Sequence, residues 1–217
     1  MATKIILTRH GHVEGIAPRR FRGRQDVPLS ELGRAQARAT AKYVAAVWRP
    51  AVVYTSPMQR CVATGAAIAQ ACAVTSKILP ALNDLDYGAW QWKTHDEIRA
   101  TFPSQYSRWH KTPHLFRFPG GESLQDLVAR AGDALRHVLD EHDERIVVLV
   151  GHDSLNRALF TQFLEQPLSA YWRLVFEPCG ISEIDLGADT ALVRRVNQLS
   201  HLDGVADRTQ LGQFASM

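Results

Sequence analysis

The sequence predicts an α/β fold built on a mostly parallel sheet, and three observations carry that prediction. The chain opens on an unbroken apolar run, Lys4-Ile5-Ile6-Leu7-Thr8, and repeats the pattern at Ile146-Val147-Val148-Leu149-Val150. Runs without polar alternation are strands covered on both faces. Between them lie stretches with the apolar spacing of amphipathic helices, and strand alternating with helix implies right-handed crossovers that bring the strand exits to one edge. Finally, Ile181 to Leu186 and Leu192 to Leu199 alternate well enough to extend the sheet, with room for an antiparallel member.

The totals narrow the class. A chain of 217 residues with 46% hydrophobic composition can bury a sizeable core as one large domain. Its net charge of +3 suits an anionic small molecule and falls short of a dedicated nucleic-acid binder. Cys61, Cys72 and Cys179 show no CxxC spacing, so neither a disulfide framework nor a zinc site is indicated and a reducing cytoplasm fits best. No stretch approaches the roughly 20 apolar residues that span a bilayer, and the N-terminus runs straight into a strand. The expected protein is soluble, unexported and free of membrane contact.

Taken in order, the first strand ends at Arg9-His10-Gly11, and a loop follows with four arginines in six residues, Arg19-Arg20-Phe21-Arg22-Gly23-Arg24. Such a loop is either a solvated basic surface or an electrostatic lip that concentrates an anionic substrate. A helix starts at the N-cap Ser30, with Leu32, Ala35, Ala39, Tyr43 and Val47 as its apolar face, and Pro50 ends it. Val52 to Thr55 is the second strand. Ser56-Pro57 opens the second helix, placing Arg60 in its first turn and Ala63, Ala66, Ala67 and Ala71 on its packed face.

Asn83 to Trp90 is a loop combining Asp84 and Asp86 with two aromatics, and Asp96-Glu97-Ile98 begins a short helix. Residues 102–119, rich in Pro, His and aromatics, read as a lid or insertion with short helices, the lid region as a whole spanning about 89–122. His95, His110, His114, His137 and His142 are expected on the surface or in packing, while Trp90, Trp92 and Trp109 either line a pocket mouth or anchor the insertion. Ser123 caps an amphipathic helix with Leu124, Leu127, Val128, Ala131, Leu135, Val138 and Leu139 on one side. The strand at 146–150 stops at Gly151-His152, where another helix starts. From about Asp203 the chain reads as a tail, 203–217.

Three strand exits thus deliver Arg9-His10, Arg60 and His152. Two guanidiniums and two imidazoles suit a phosphoryl group, because arginine forks match phosphate oxygens and imidazole can attack phosphorus. A second reading takes His10-Gly11-His12 as the HxH of a metallohydrolase, which would need further ligands at other strand ends.

The ordered set Arg9-His10-Gly11, Ser56-Pro57-Met58-Gln59-Arg60, Asp84-Leu85-Asp86-Tyr87-Gly88, Gly120-Gly121-Glu122-Ser123 and Val150-Gly151-His152 resembles the motifs of the histidine phosphatase superfamily, the phosphoglycerate mutase-like proteins, over residues 3–202. The resemblance implies a three-layer α/β/α sandwich, a phosphohistidine intermediate, no cofactor and no metal. Residue by residue it implies His10 as nucleophile, Arg9, Arg60 and His152 as phosphoryl ligands, and Asp84 as general acid and base, with Asp86 as the competitor for that role. Ile16 stands where many members carry a phosphate-binding asparagine, and Arg22, beside Gly23, stands where relatives carry a smaller uncharged residue. Arg22 and Gly23 are therefore read as substrate-binding. The expected partner is a small-molecule phosphate ester, with no nucleic acid, and a homodimer is compatible with the reading. A phosphatase comes first; a mutase and a non-catalytic phospho-ligand binder are the alternatives within the fold.

Overall fold

The computed structural model describes residues 2–14, 18–187 and 190–205. In chain order the main elements are β1 (Thr3–Arg9), α1 (Glu31–Val47), β2 (Val52–Thr55), α2 (Gln59–Cys72), β3 (Ser76–Ile78), α3 (His95–Thr101), α4 (Pro103–Lys111), α5 (Leu124–Glu141), β4 (Ile146–Gly151), α6 (Asp153–Phe163), β5 (Ile181–Leu186) and β6 (Ala191–Gln198). The strands form one sheet in the order β3-β2-β4-β1-β5-β6. β1 to β4 are mutually parallel, and β5 pairs antiparallel with both β1 and β6.

Alternate residues of each central strand serve opposite faces, and this produces three layers. Ile5, Leu7, Val147 and Leu149 point into one apolar core with Leu127, Ala131 and Val138 of α5 and Leu155 and Leu159 of α6. Ile6, Val148 and Val150 point into the other, with Ala41 and Val44 of α1 and Cys61 and Ile68 of α2. Strands covered on both sides need no polar alternation, which is why these runs were legible. Trp90, Trp109, Phe116 and Phe118 from the 89–122 region join the first core, so these aromatics anchor the insertion. Trp92 instead lies partly exposed, under the Arg20 guanidinium.

Some helix faces differ from the sequence expectation. α1 buries Gly33, Gln36, Ala37, Thr40, Ala41 and Val44, not the stripe through Leu32, Ala35, Ala39, Tyr43 and Val47. Two polar members are satisfied inside: Gln36 Oε1 accepts from His12 N at 2.8 Å and the Thr40 hydroxyl donates to Gln36 O at 2.9 Å. A burial pattern that includes such residues has no hydrophobic signature. In α2, Ala63, Ala66 and Ala71 face solvent while Cys61, Thr64, Gly65, Ile68 and Ala69 face inward. Gly65 is there because helix and sheet approach closely: a Cβ at this position would lie 2.2 Å from Thr55 Cγ2.

Ser30 and Ser123 cap α1 and α5 as expected, Ser123 within a reciprocal box with Asp126. Leu139 at the end of α5 is exposed. Ser56 does not cap α2, which begins three residues later; Asp26 Oδ1 accepts from Gln59 N at 2.8 Å in its place. Among the described residues no helix is long and apolar enough to cross a membrane. Ile16 and most of the 203–217 tail lie outside the described residues.

Candidate active site

The register of β1 against β4 sets Arg9 beside Gly151, so the next residues, His10 and His152, leave the sheet side by side. His10 N donates to Gly151 O at 3.0 Å and Ser56 N to Val150 O at 3.0 Å, extending the ladder one residue past the strands. The two imidazole centroids are 5.3 Å apart at an interplanar angle of 64°. Arg60 rises from the first turn of α2, where free N–H groups already favour an anion. Arg9, His10, Arg60, Asp84 and His152 are all buried.

His10 Nδ1 lies 2.7 Å from Gly11 O. A carbonyl only accepts, so Nδ1 carries the proton and the lone pair is left on Nε2. Burial, then the Arg60 charge, His152 and Arg9, hold the imidazole well below its ordinary pKa, and it is neutral at neutral pH. His152 is depressed for the same first two reasons, with Arg130 and Arg9 adding to them. Its Nε2 is 2.8 Å from Ser56 Oγ and its Nδ1 is 3.4 Å from Asp84 Oδ2. This is what occupies Ser56 in place of capping. Cys61 Sγ lies 3.4 Å from the same Nε2, with its thiol pushed up to about 12 by burial.

Arg60 donates through Nη1 to Gln25 O and through Nη2 to Gly23 O, each at 2.7 Å, and Nη2 reaches Asp84 Oδ2 at 3.2 Å and His152 Nδ1 at 3.3 Å. Gly23 is at φ +46°, and a Cβ there would stand 2.8 Å from Leu85 O, so only glycine turns this carbonyl onto Arg60 without strain. Arg9 Nη1 donates to Phe176 O at 2.7 Å.

Asp84 is fixed from two sides. Its Oδ1 accepts from Leu85 N at 2.9 Å and from the Ser154 hydroxyl in a short hydrogen bond, which leaves Oδ2 toward Arg60 and His152. Its backbone is clamped by Arg130, whose guanidinium donates to the carbonyls of Ala81, Asn83 and Asp84 at 2.9, 2.6 and 2.8 Å. Glu122 pairs with Arg130 at 2.9 Å and with Arg24 at 2.8 Å. Asp86 accepts from Gly88 N at 2.9 Å and pairs with Arg24 at 3.2 Å, and it is not among the residues lining the pocket.

The pocket above this floor has a volume of about 110 Å³ and is lined by Arg9, His10, Arg22, Gly23, Asp84 and Ser154, with Arg19, Arg20, Tyr87, His95, Arg157 and Trp172 higher up. Arg60 and His152 stand beneath it and do not line the open volume. Five arginines against Asp84 and Asp153 make it strongly cationic. Arg22 is pushed down to about 10 by burial and by Arg9 and Arg60, and stays cationic at neutral pH. Three of the four loop arginines thus face the site, while Arg24 belongs to the Glu122 network.

The structure brings every sequence-proposed residue to this place, with Asp86 turned away. Sequence reasoning missed Ser154, Arg130, Arg157, Tyr87, Trp172 and His95. His95 was expected on the surface or in packing; it stacks on Phe21 at 4.2 Å and lines the pocket, pushed down to about 3 by burial and by Arg19. His12, the partner required by the metallohydrolase reading, turns Nδ1 to Ser30 Oγ at 2.8 Å. Among the described residues no group of three or more His, Cys, Asp or Glu is placed to hold a metal ion.

Comparison with known proteins bears on this geometry. The family model "Histidine phosphatase superfamily (branch 1)" matches residues 5–199. Phosphoserine phosphatase 1 of Hydrogenobacter thermophilus is 30% identical over 199 residues, covering 92% of this chain and 94% of that protein. The probable phosphoglycerate mutase GpmB of Cronobacter sakazakii is 31% identical, covering 94% and 96%. The solved structure of Bacillus stearothermophilus YhfR superposes with a TM-score of 0.87 at 31% identity, covering 93% of this chain and all of that one.

Proposed function

Since the chain belongs to the histidine phosphatase superfamily and is a phosphoric monoester hydrolase, we propose that it works through a phosphohistidine on His10, on a small anionic phosphorylated metabolite. The observation that carries this reading is the neutral His10 imidazole, with Nδ1 pinned to Gly11 O, set among Arg9, Arg60, His152 and Asp84. Nε2 attacks phosphorus in line with the ester oxygen. As the P–O bond breaks, Asp84 acts as the general acid and passes a proton to the departing alkoxide. In the second half, Asp84 takes a proton from water, the water oxygen attacks phosphorus, and the P–N bond breaks to release inorganic phosphate and restore His10.

Arg9 and Arg60 neutralise the charge that spreads over the non-bridging oxygens, and His152, whose Nδ1 stands 3.3 Å from Arg60 Nη2, adds a donor on protonation. His152 is neutral without a ligand, so this last contact depends on the bound dianion raising its proton affinity. The thiols Cys61, Cys72 and Cys179 are all unpaired, which supports a reducing, cytoplasmic setting.

The test is to follow both products. Substrate should release free phosphate with a burst of acid-labile, base-stable phosphoenzyme; isomerisation of 3-phosphoglycerate without phosphate release would overturn the phosphatase assignment. Arg22 lines the pocket beyond the phosphoryl floor, so we propose it as the ligand of a second anionic group. Arg22→Ala is expected to raise KM by about tenfold for esters carrying a carboxylate and much less for esters without one. An equal rise on both, measured in the same steady-state assay, would remove Arg22 from that role.

A further inference from the structure

Beyond the phosphoryl pocket lies a second and much larger cavity, of about 820 Å³ against about 110 Å³. The two adjoin: Arg19, His95 and Trp172 line both. A leaving group that extends from a phosphorus on His10 past these shared residues meets a space of the size that encloses a whole small ligand. The site described above uses none of the remaining lining residues.

Four of the eleven residues that line the larger cavity carry aromatic rings. His110 lies parallel to Trp172 with centroids 5.5 Å apart, Tyr106 is 4.4 Å from His110, and His95 stands edge-on to Tyr106 at 5.9 Å. Both imidazoles are depressed, first of all by burial, and so offer neutral hydrogen-bonding edges. His95 Nδ1 is bonded to Tyr106 Oη at 3.2 Å, and His110 Nε2 is buried without a partner. Arg99 is paired with Asp96 at 3.1 Å. The four rings offer flat surface and neutral polar edges among the charged Arg19, Asp96, Arg99 and Lys111, and such a surface recognises a flat ring that itself carries donors and acceptors.

We propose that the phosphomonoester hydrolysed here carries a heteroaromatic ring on its leaving group, held in the larger cavity against the wall formed by His95, Tyr106, His110 and Trp172 while the phosphoryl group lies on His10. This rests on the phosphatase reading above and adds the class of alcohol that leaves. The walls contact the ring both before and after the bond breaks, so the free alcohol is also a ligand.

The test uses a matched pair, adenosine 5′-monophosphate and ribose 5-phosphate, which share the phosphoryl group and the ribose and differ in the ring. The expected result is a kcat/KM at least tenfold higher for the ring-bearing ester, and inhibition of ribose 5-phosphate turnover by adenosine but not by ribose at equal concentration. Ser107 lines only the larger cavity. Ser107→Trp, which puts a bulky ring into it, should bring the ratio of the two kcat/KM values toward unity, and Tyr106→Ala, which removes a wall, should lower it as well. Equal turnover of the pair by the wild-type protein, with no inhibition by adenosine, would overturn the proposal, and that comparison needs no variant to fold. If phosphoenzyme and free phosphate form from either ester the phosphatase reading stands regardless. If none forms from either ester or from phosphoserine, both readings fall.

Discussion

His10→Ala is expected to abolish phosphoenzyme formation and to lower kcat/KM on any phosphomonoester by on the order of 10⁴-fold or more, because the variant lacks the atom that forms the covalent bond. The backbone around it should persist, since His10 N and Gly151 O are main-chain partners and Arg9 keeps its own bond to Phe176 O. An unchanged circular dichroism spectrum beside the lost activity would exclude simple unfolding. Residual phosphoenzyme in this variant would move the nucleophile elsewhere.

The same residue sets the acid limb of the pH profile. Attack needs the neutral imidazole, and burial with the Arg60 charge holds the His10 pKa well below 6.5. A lowered pKa keeps the active form present as pH falls. The rate of phosphoenzyme formation should therefore change little between pH 8 and 6.5, roughly the unperturbed histidine value, and decline only below it. A midpoint at or above that value, read from single-turnover kinetics, would contradict the environment described for His10.

Asp84→Asn is expected to slow hydrolysis of alkyl phosphates by on the order of 100-fold, with a much smaller effect on p-nitrophenyl phosphate, whose leaving group scarcely needs a proton. The contrast matters more than the size. Asparagine keeps the volume and the acceptor that Ser154 and Leu85 N require, and Arg60 retains Gly23 O and Gln25 O. A loss that was equal for both leaving groups would indicate damage to Arg60 through its lost ion pair. Asp86→Asn serves as the control: its carboxylate faces Gly88 N and Arg24, so the leaving-group dependence should be unaltered. If Asp86→Asn gives the selective loss instead, the acid has been misassigned.

Part of this site could be read from residues alone. Arg9, His10 and His152 follow apolar runs that only a doubly covered strand explains, and such strands open their carboxyl ends toward a ligand crevice. Arg60 was legible because a helix start after β2 must face the same edge. Asp84 was different: the loop offered two carboxylates two residues apart, and only the family motif favoured one. In space the two differ: Arg130 holds the Asp84 carbonyl at 2.8 Å and Asp84 lines the pocket, while Asp86 pairs with Arg24 and does not.

The apolar helix faces were the least legible part. In α1 and α2 the inward residues include Gln36, Thr40 and Thr64, each satisfied by a hydrogen bond made inside the fold. Hydrophobic spacing cannot register a polar group that will find its partner only after folding. Ser56 shows the same effect, a capping residue by type that His152 occupies from 96 positions away.

The sequence by itself determined the sheet, the edge at which it opens and the cationic and imidazole groups delivered there, because strand burial and helix starts are written in contiguous residues. Packing alone sets which carboxylate lines the cationic pocket, that Ser154 and Arg130 hold it, and that His95, Tyr106, His110 and Trp172 line a second cavity. These depend on side chains tens of residues apart meeting at hydrogen-bond or ring-contact distance, and no local pattern encodes a distance between segments that only the packed chain brings together.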